Sequence, residues 1–343
     1  AYSVPKYHFN YKAACCFASR YYLFMQDWDN AIKYATMALT SNPSSLLRDY
    51  NAIAALPNGT SRHQEYVNSA STANFLLQAA TSNSGLLFDW YSTAGRYSHG
   101  KLQGIYETVQ PKKGGPWGSS VTFKAPHAVL ASSGKYVLPR TWRVFQYTDP
   151  VAGTGFNKAI SVLFTSEEAL LNRAEAYIMK MNEDPTALDK ALEDINLYAA
   201  NLFSAGFKSM TEASIIKWAT ETYPDYSELY VGKTSVSSPQ TLNPKKKLHA
   251  APYNTLEEGG PQESMLQALI FMRRYQFLHE GMRWFDTRRF GITVYRYLLD
   301  EDAETVVQIT DQISDENGTA DPRRALQLPA DVIAAGLTPN PRK

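Results

Sequence analysis

No run in this 343-residue chain is apolar over the length that a bilayer-spanning helix needs. Cysteine is scarce: there are two, and they are neighbours, Cys15 and Cys16. Adjacent positions on a helix point apart, which argues against a bridge between them and against a metal knot built on cysteine spacing. Both read as small buried apolar side chains. The six histidines are scattered at 8, 63, 99, 127, 249 and 279, with no HExxH or CxxC arrangement, so no metal site is expected. No cofactor is expected either. There is no GxSxG elbow, and "GKLQG" lacks the Lys-Ser/Thr that completes a phosphate loop. An excess of one charge is also missing. Thirty-four Lys+Arg face 33 Asp+Glu, so there is no basic surplus for nucleic acid or for an anionic membrane surface.

What is abundant is ring surface: 22 Tyr, 15 Phe and 6 Trp. Tyr and Trp each keep a polar atom that wants a partner, so part of this surface is expected to be exposed. Hydrophobic residues make up 44% of the chain, enough for a sizeable core. Residues 11–43 read as a helical hairpin, with Asp27 capping its second helix and Pro43 ending it. Small or aromatic residues at Ser19, Tyr22, Ala31, Ala35 and Ala38 have the spacing that lets paired helices approach closely, as in tetratricopeptide (TPR) repeats. Residues 165–203 repeat the theme. A capping box joins Thr165 to Glu168, Asp184 and Pro185 open the second helix, and Ala174, Tyr177 and Ala191 take the corresponding places. Further helices are expected over 211–223, 262–279 and from about Met282 to Phe290. The expected fold class is all-α: an α/α superhelix of TPR-like hairpins in one domain over 1–343, with long loop insertions and minor β confined to the loops.

Residues 44–164 differ. Gly, Ser, Pro and aromatics dominate, and helical periodicity is weak apart from "NSASTANFLLQAA". A loop segment of this length inside a compact domain points to function. Trp90, Tyr97, Trp117 and Trp142 are the candidates for stacking on a ligand, with Tyr106 and Arg96 beside them; Tyr147 belongs to the same loop set. After a second loop at 224–261, residues 262–343 read as C-terminal helices and a polar, irregular tail.

The stretch "HEGMRWFDTRRFG", His279 to Gly291, admits two readings. Glu280 and Asp286 have the residue types of a glycoside hydrolase pair. Yet Arg283, Arg288 and Arg289 are interleaved with them, and guanidinium neighbours hold carboxyls ionised, which disfavours a general acid. The preferred reading is a structural corner. Asp286 pairs with arginines such as Arg283 and Arg289 while Trp284 and Phe285 pack into the bundle, and no catalytic residue is assigned. On the helix "EEALLNRAEAY", Glu168 is read as a cap and Glu175 as the partner of a neighbouring arginine.

Three segments resemble the SusD/RagB family, the nutrient-binding lipoproteins of starch-utilisation-type systems. "LFTSEEALLNRAEAY" is similar to the family's "R-x-x-E-x-x-L-x-x-A-E-A". "RRYQFLHEGMRWFDTRRFG" is similar to its "E-R-R-x-E-F-x-x-E-G-x-R-W-F-D-L-x-R-x-G", and "RRALQLPADVIAAGLTPNP" to its C-terminal pattern. Met272 stands where the family's signature has Glu, and the terminal Gln-Asn-Pro is lacking. The resemblance implies a helical scaffold lacking the family's usual N-terminal part, with a lipid anchor on that missing part. It implies non-catalytic capture of a glycan, or of a peptide, on the outer face of an outer membrane. Delivery to a SusC-like TonB-dependent transporter would follow. A helical carbohydrate-active enzyme and a TPR scaffold for a protein segment are the other two readings.

Overall fold

A computed structural model describes residues 2–88, 114–118, 121, 124, 129–130, 136–137, 144–203, 206–222, 245–301, 305–315 and 320–342. Helices α1 (Tyr11–Phe24) and α2 (Trp28–Leu39) form the first hairpin; α6 (Ser166–Lys180) and α7 (Ala187–Leu202) form the second. Local chemistry explains both. Asn10 accepts from the Ala13 N–H, Asp27 from Asn30 and Thr165 from Glu168, so each of these three helices starts on a side chain that satisfies an orphan donor. Ala31, Ala35, Ala38, Ala174 and Ala191 are wholly buried; α2 packs on α6, and α6 on α7, across these small faces. Cys15 and Cys16 are buried free thiols in the same layer. The start of α7 differs from expectation. Asp184 accepts from the Thr186 backbone and hydroxyl, and the helix begins beyond Pro185, at Ala187.

The segment 44–164 is more structured than its composition implies. It contains α3 (Tyr50–Ala55) and α4 (Gly59–Tyr66), capped by Asp49 and Asn58, and α5 (Ser84–Phe88). It also contains strands β1 (Asn74–Thr81), β2 (Val129–Leu130), β3 (Tyr136–Val137), β4 (Val144–Asp149) and most of β5 (Thr154–Thr165). The one stretch of this segment read as having helical periodicity, "NSASTANFLLQAA", is in large part β1. It runs antiparallel to β5, with Phe75 and Leu77 both buried, and β4 lies on the other side of β5. Pairing with a strand some eighty positions away outweighed the local pattern.

Beyond α7, α8 (Glu212–Lys217) opens on a Thr211–Ser214 capping box and runs into a π turn at Trp218–Thr222. Helix α9 (Pro261–Gln276) is buried on nearly every side, against α6 and α8. It turns into α10 (Met282–Arg289) at Gly281, whose φ of 81° suits a residue without a Cβ. The tail is not irregular: β6 (Val294–Leu299) and β7 (Val306–Ile313) form a hairpin, and α11 (Ala330–Ala334) follows. Strands are therefore not confined to the loop insertions. Arg324 is buried and donates to the Thr287 and Ile292 carbonyls, which ties the tail to α10.

The stretch His279–Gly291 is a corner of the core. Asp286 is 1% exposed and accepts from Arg273 Nε at 3.0 Å and from Arg289 Nη2 at 3.0 Å. Arg289 also donates to Glu175 Oε2 at 2.8 Å and to the Tyr253 hydroxyl at 3.1 Å. Arg273 reaches Asn172 at 2.9 Å, and Asn172 donates to Ser19 Oγ at 3.1 Å. The network thus joins α1, α6, α9 and α10. The aromatic half of the expectation needs correcting. Phe285 is 49% exposed and Trp284 is half-buried, while Met282 and Phe290 fill the core positions. Burial pushes the Asp286 carboxyl up, but the attraction of Arg273, Arg289 and Arg283 outweighs it and holds the group below its ordinary value.

Removing one member of such a buried pair strands a charge. Asp286→Ala should therefore destabilise the fold by about 3–5 kcal/mol in urea denaturation. A loss below about 1 kcal/mol would mean that the network is not a structural tie. The pH dependence follows in sign. The folded-state pKa is depressed, so the stabilisation by Asp286 is complete above the unfolded value of about 3.9 and is lost as pH falls through the folded one. The parent should lose stability on acidification below that pH more steeply than Asp286→Ala does.

Candidate functional site

Most of the aromatic set singled out in the sequence lies outside the described residues: Trp90, Arg96, Tyr97, Tyr106 and Trp142. Trp117 and Tyr147 are described, and they behave in opposite ways. Trp117 sits in the turn "GGPWG", closed by the Gly118 N–H on the Gly115 carbonyl at 3.0 Å. Its ring lies back over Gly115, where a Cβ would collide with it. Phe203, Phe271 and Tyr275 then surround it, with ring centroids 4.4, 5.3 and 5.7 Å away. The residue is 3% exposed. Its expected place on a ligand platform is therefore corrected: its faces are already covered by α9 and the end of α7, and it anchors the loop.

Tyr147 is on the surface. It stands on β4, which among the described strands pairs with β5 and is exposed along its length. Phe145 and Tyr147 are two positions apart and so share a face. Their rings meet edge to face, with centroids 4.9 Å apart, and Tyr147 is 58% exposed. Asp149 stabilises the end of the strand by accepting from the Val151 and Ala152 N–H groups. Two exposed rings on a short strand, with Asn157 of β5 paired opposite Phe145 on the same face, offer an apolar surface with a polar neighbour. A pyranose ring needs that combination. The alternation in "RVFQYTD" was the available signal, since it is a period of two.

A second aromatic surface lies where α1 meets β5. Phe9, Phe17 and Phe164 form a mutual edge-to-face trio with centroids 6.1–6.4 Å apart. Phe9 and Phe17 are largely exposed, whereas Phe164 is buried beneath the Arg20 guanidinium. Arg20 is itself held by Glu168, donating at 2.7 Å. The capping-box reading of Glu168 is thus half right. Its N–H takes the Thr165 cap, but its side chain pairs with α1. Glu175 likewise pairs with Arg289, from a distant helix instead of its own.

The described carboxylates of the corner are engaged by structural partners. Asp286 and Glu175 are fixed by guanidinium groups, and Glu280 accepts from the Tyr66 hydroxyl. Among the described residues no group of three or more metal-ligating side chains gathers in one place. No described helix is long and apolar enough to cross a membrane.

The two described aromatics separate in a stability test. Trp117→Ala should destabilise the fold by about 3–5 kcal/mol, as expected for a large buried ring. Tyr147→Ala should stay within about 0.5 kcal/mol of the parent. Equal denaturation midpoints for parent and Trp117→Ala would show that the ring is not packed as described.

No family model and no curated protein sequence matches the chain. Among solved structures, the chain is similar to a SusD-like protein from Bacteroides fragilis NCTC 9343, at 14% identity and a TM-score of 0.44. The match covers 99% of this chain and 66% of that one, so this chain spans less than two thirds of the length of the protein it resembles.

Proposed function

We propose that this chain is the nutrient-capturing part of a SusD-like protein: a non-catalytic binder of a glycan at the cell surface. In this reading the scaffold is TPR-like, and the protein is lipid-anchored to the outer membrane. It hands its ligand to a SusC-like TonB-dependent transporter. The observation that carries the reading is the use made of the segment "RRYQFLHEGMRWFDTRRFG". Three of its charged residues join helices: Arg273, Asp286 and Arg289 close a buried network with Glu175. A signature consumed by architecture fits a scaffold protein better than a hydrolase. The exposed Phe145–Tyr147 pair supports sugar stacking in particular, because flat rings beside the amide of Asn157 match the C–H face and hydroxyl rim of a pyranose.

The test is a screen of the purified chain against neutral oligosaccharides and a peptide library, followed by calorimetry on the hits. A glycan should bind with a Kd in the range of about micromolar to millimolar, that is roughly −8 to −4 kcal/mol. Tyr147→Ala should weaken that binding by about tenfold, equivalent to roughly 1.4 kcal/mol, without changing the melting temperature. Shortened products after prolonged incubation would overturn the non-catalytic reading in favour of an enzyme. Binding of peptides alone would replace the glycan by a peptide.

A further inference from the structure

A cleft of about 330 Å³ lies away from the β4 edge, between the N-terminal segment, α1 and the start of β1. Its apolar wall includes Phe75 and Leu46, and its polar side chains are Lys6, Asn10, Lys12, Thr72 and Asn74. The two amides face inward in chemical terms. Asn10 caps α1 through its oxygen and donates through its nitrogen to the Phe75 carbonyl at 2.8 Å. Asn74 donates to the Tyr66 carbonyl at 2.9 Å and accepts from Arg48 at 2.7 Å. What remains for a ligand is the Lys12 ammonium, the N–H groups of Lys6 beyond the one held by the Ser71 carbonyl, and the Thr72 hydroxyl.

The cleft is one-sided in charge. No carboxylate lines it, and among the described residues no carboxylate pairs with Lys6 or Lys12. Lys12 is the second residue of α1, at the positive end of a 14-residue helix whose first turn holds no acid. Behind the wall, Arg48 is 2% exposed, and its own counter-ion, Glu167, is already engaged by it at 3.7 Å. Burial holds both lysines below their ordinary pKa, and Lys12 and Arg48 push Lys6 lower still. Lys12 stands 5.5 Å from the centre of the Phe75 ring, an aromatic face that attracts its charge.

We propose that this cleft is a binding site for the oxyanion of a small ligand, held between the Lys6 and Lys12 ammonium groups with the Thr72 hydroxyl as a third donor. A carboxylate and a phosphate share the required chemistry, a compact negative group that accepts several charged hydrogen bonds. The apolar wall takes the body that carries it. The site is distinct from the aromatic surface proposed for a neutral sugar and does not depend on that reading.

The experiment titrates the full chain by calorimetry with sodium glucuronate, with inorganic phosphate and with glucose as the uncharged control, at low and at high sodium chloride. Binding of glucuronate or phosphate but not of glucose is expected, weakening as salt rises. Preference for one anion assigns the source as carboxylate or phosphate. Lys12→Gln should weaken the bound anion by about tenfold, the loss of one charge-assisted hydrogen bond. Lys6→Gln combined with Lys12→Gln should abolish it. Circular-dichroism melts of the variants establish that they are folded, as expected for lysines on a half-exposed rim. The proposal is overturned if neither anion binds, if glucose binds as well as glucuronate, or if the folded double variant binds like the parent.

Discussion

Helix α6 buries three carboxylates, Glu167, Glu168 and Glu175, each at 1% exposure or less. An ionised carboxylate withdrawn from water is destabilising by several kcal/mol unless a cation and hydrogen bonds replace the lost hydration. Each of the three finds its cation on a different part of the chain. Arg48, before α3, serves Glu167; Arg20 of α1 serves Glu168; Arg289 of α10 serves Glu175. The same helix sends Arg173 to Asp194 on α7 and Asn172 to Arg273 on α9. A shift of any neighbour along α6 would strand a charge. The pairs therefore set the register in which the hairpins, the inner helix and the corner assemble, while the alanine faces supply the close approach.

This arrangement decides where function is available. Many of the described arginines and acids in the middle of the molecule are committed to one another, and the two surfaces proposed for ligands lie at the margins. One margin is the β4 edge with Phe145 and Tyr147, held out by β5. Another is the cleft beside the start of α1, whose amides are spent internally and whose ammonium groups keep donors beyond the one that Lys6 gives to the Ser71 carbonyl. Both lean on β5 and on the strand it pairs with. Because β5 ends at Thr165, the N-cap of α6, the sheet and the charged helix are rigidly continuous.

Burial also separates residues that look alike in composition. Trp117 and Tyr147 both stand in loop-like surroundings rich in Gly, Pro and polar residues. The glycine turn folds Trp117 back against Phe203 and Phe271, whereas strand alternation holds Tyr147 outward. One ring stabilises the fold, and the other is free to meet a partner. The C-terminal segment shows the same division. Arg324 is drawn inward by carbonyls of α10 and the turn after it, while Arg323 stays on the surface with Asp311 and Asp321.

The sequence by itself determined the elements whose signals are local. Caps at Asp27, Thr165 and Thr211, small residues at helical spacing, and the apolar run of α9 all lie within a few positions of the helices they specify, and those helices form where they were expected. The corner was legible in part for the same reason, since Arg289 and Asp286 are three positions apart on one helix. Its exposed Phe285 was not, because which ring turns inward depends on helices that approach from elsewhere. The tertiary structure alone decided the long-range pairings. The apolar run in "TANFLLQAA" is too short to tell a strand from a helix until β5 arrives beside Phe75 and Leu77, and the β6–β7 hairpin hides in a polar tail. The cationic cleft is the clearest case. Lys6 and Lys12 are ordinary surface lysines in the sequence, and they become a site only when Phe75, Thr72 and the buried Arg48 are brought against them, because charge acts through space and in a low dielectric, not along the chain.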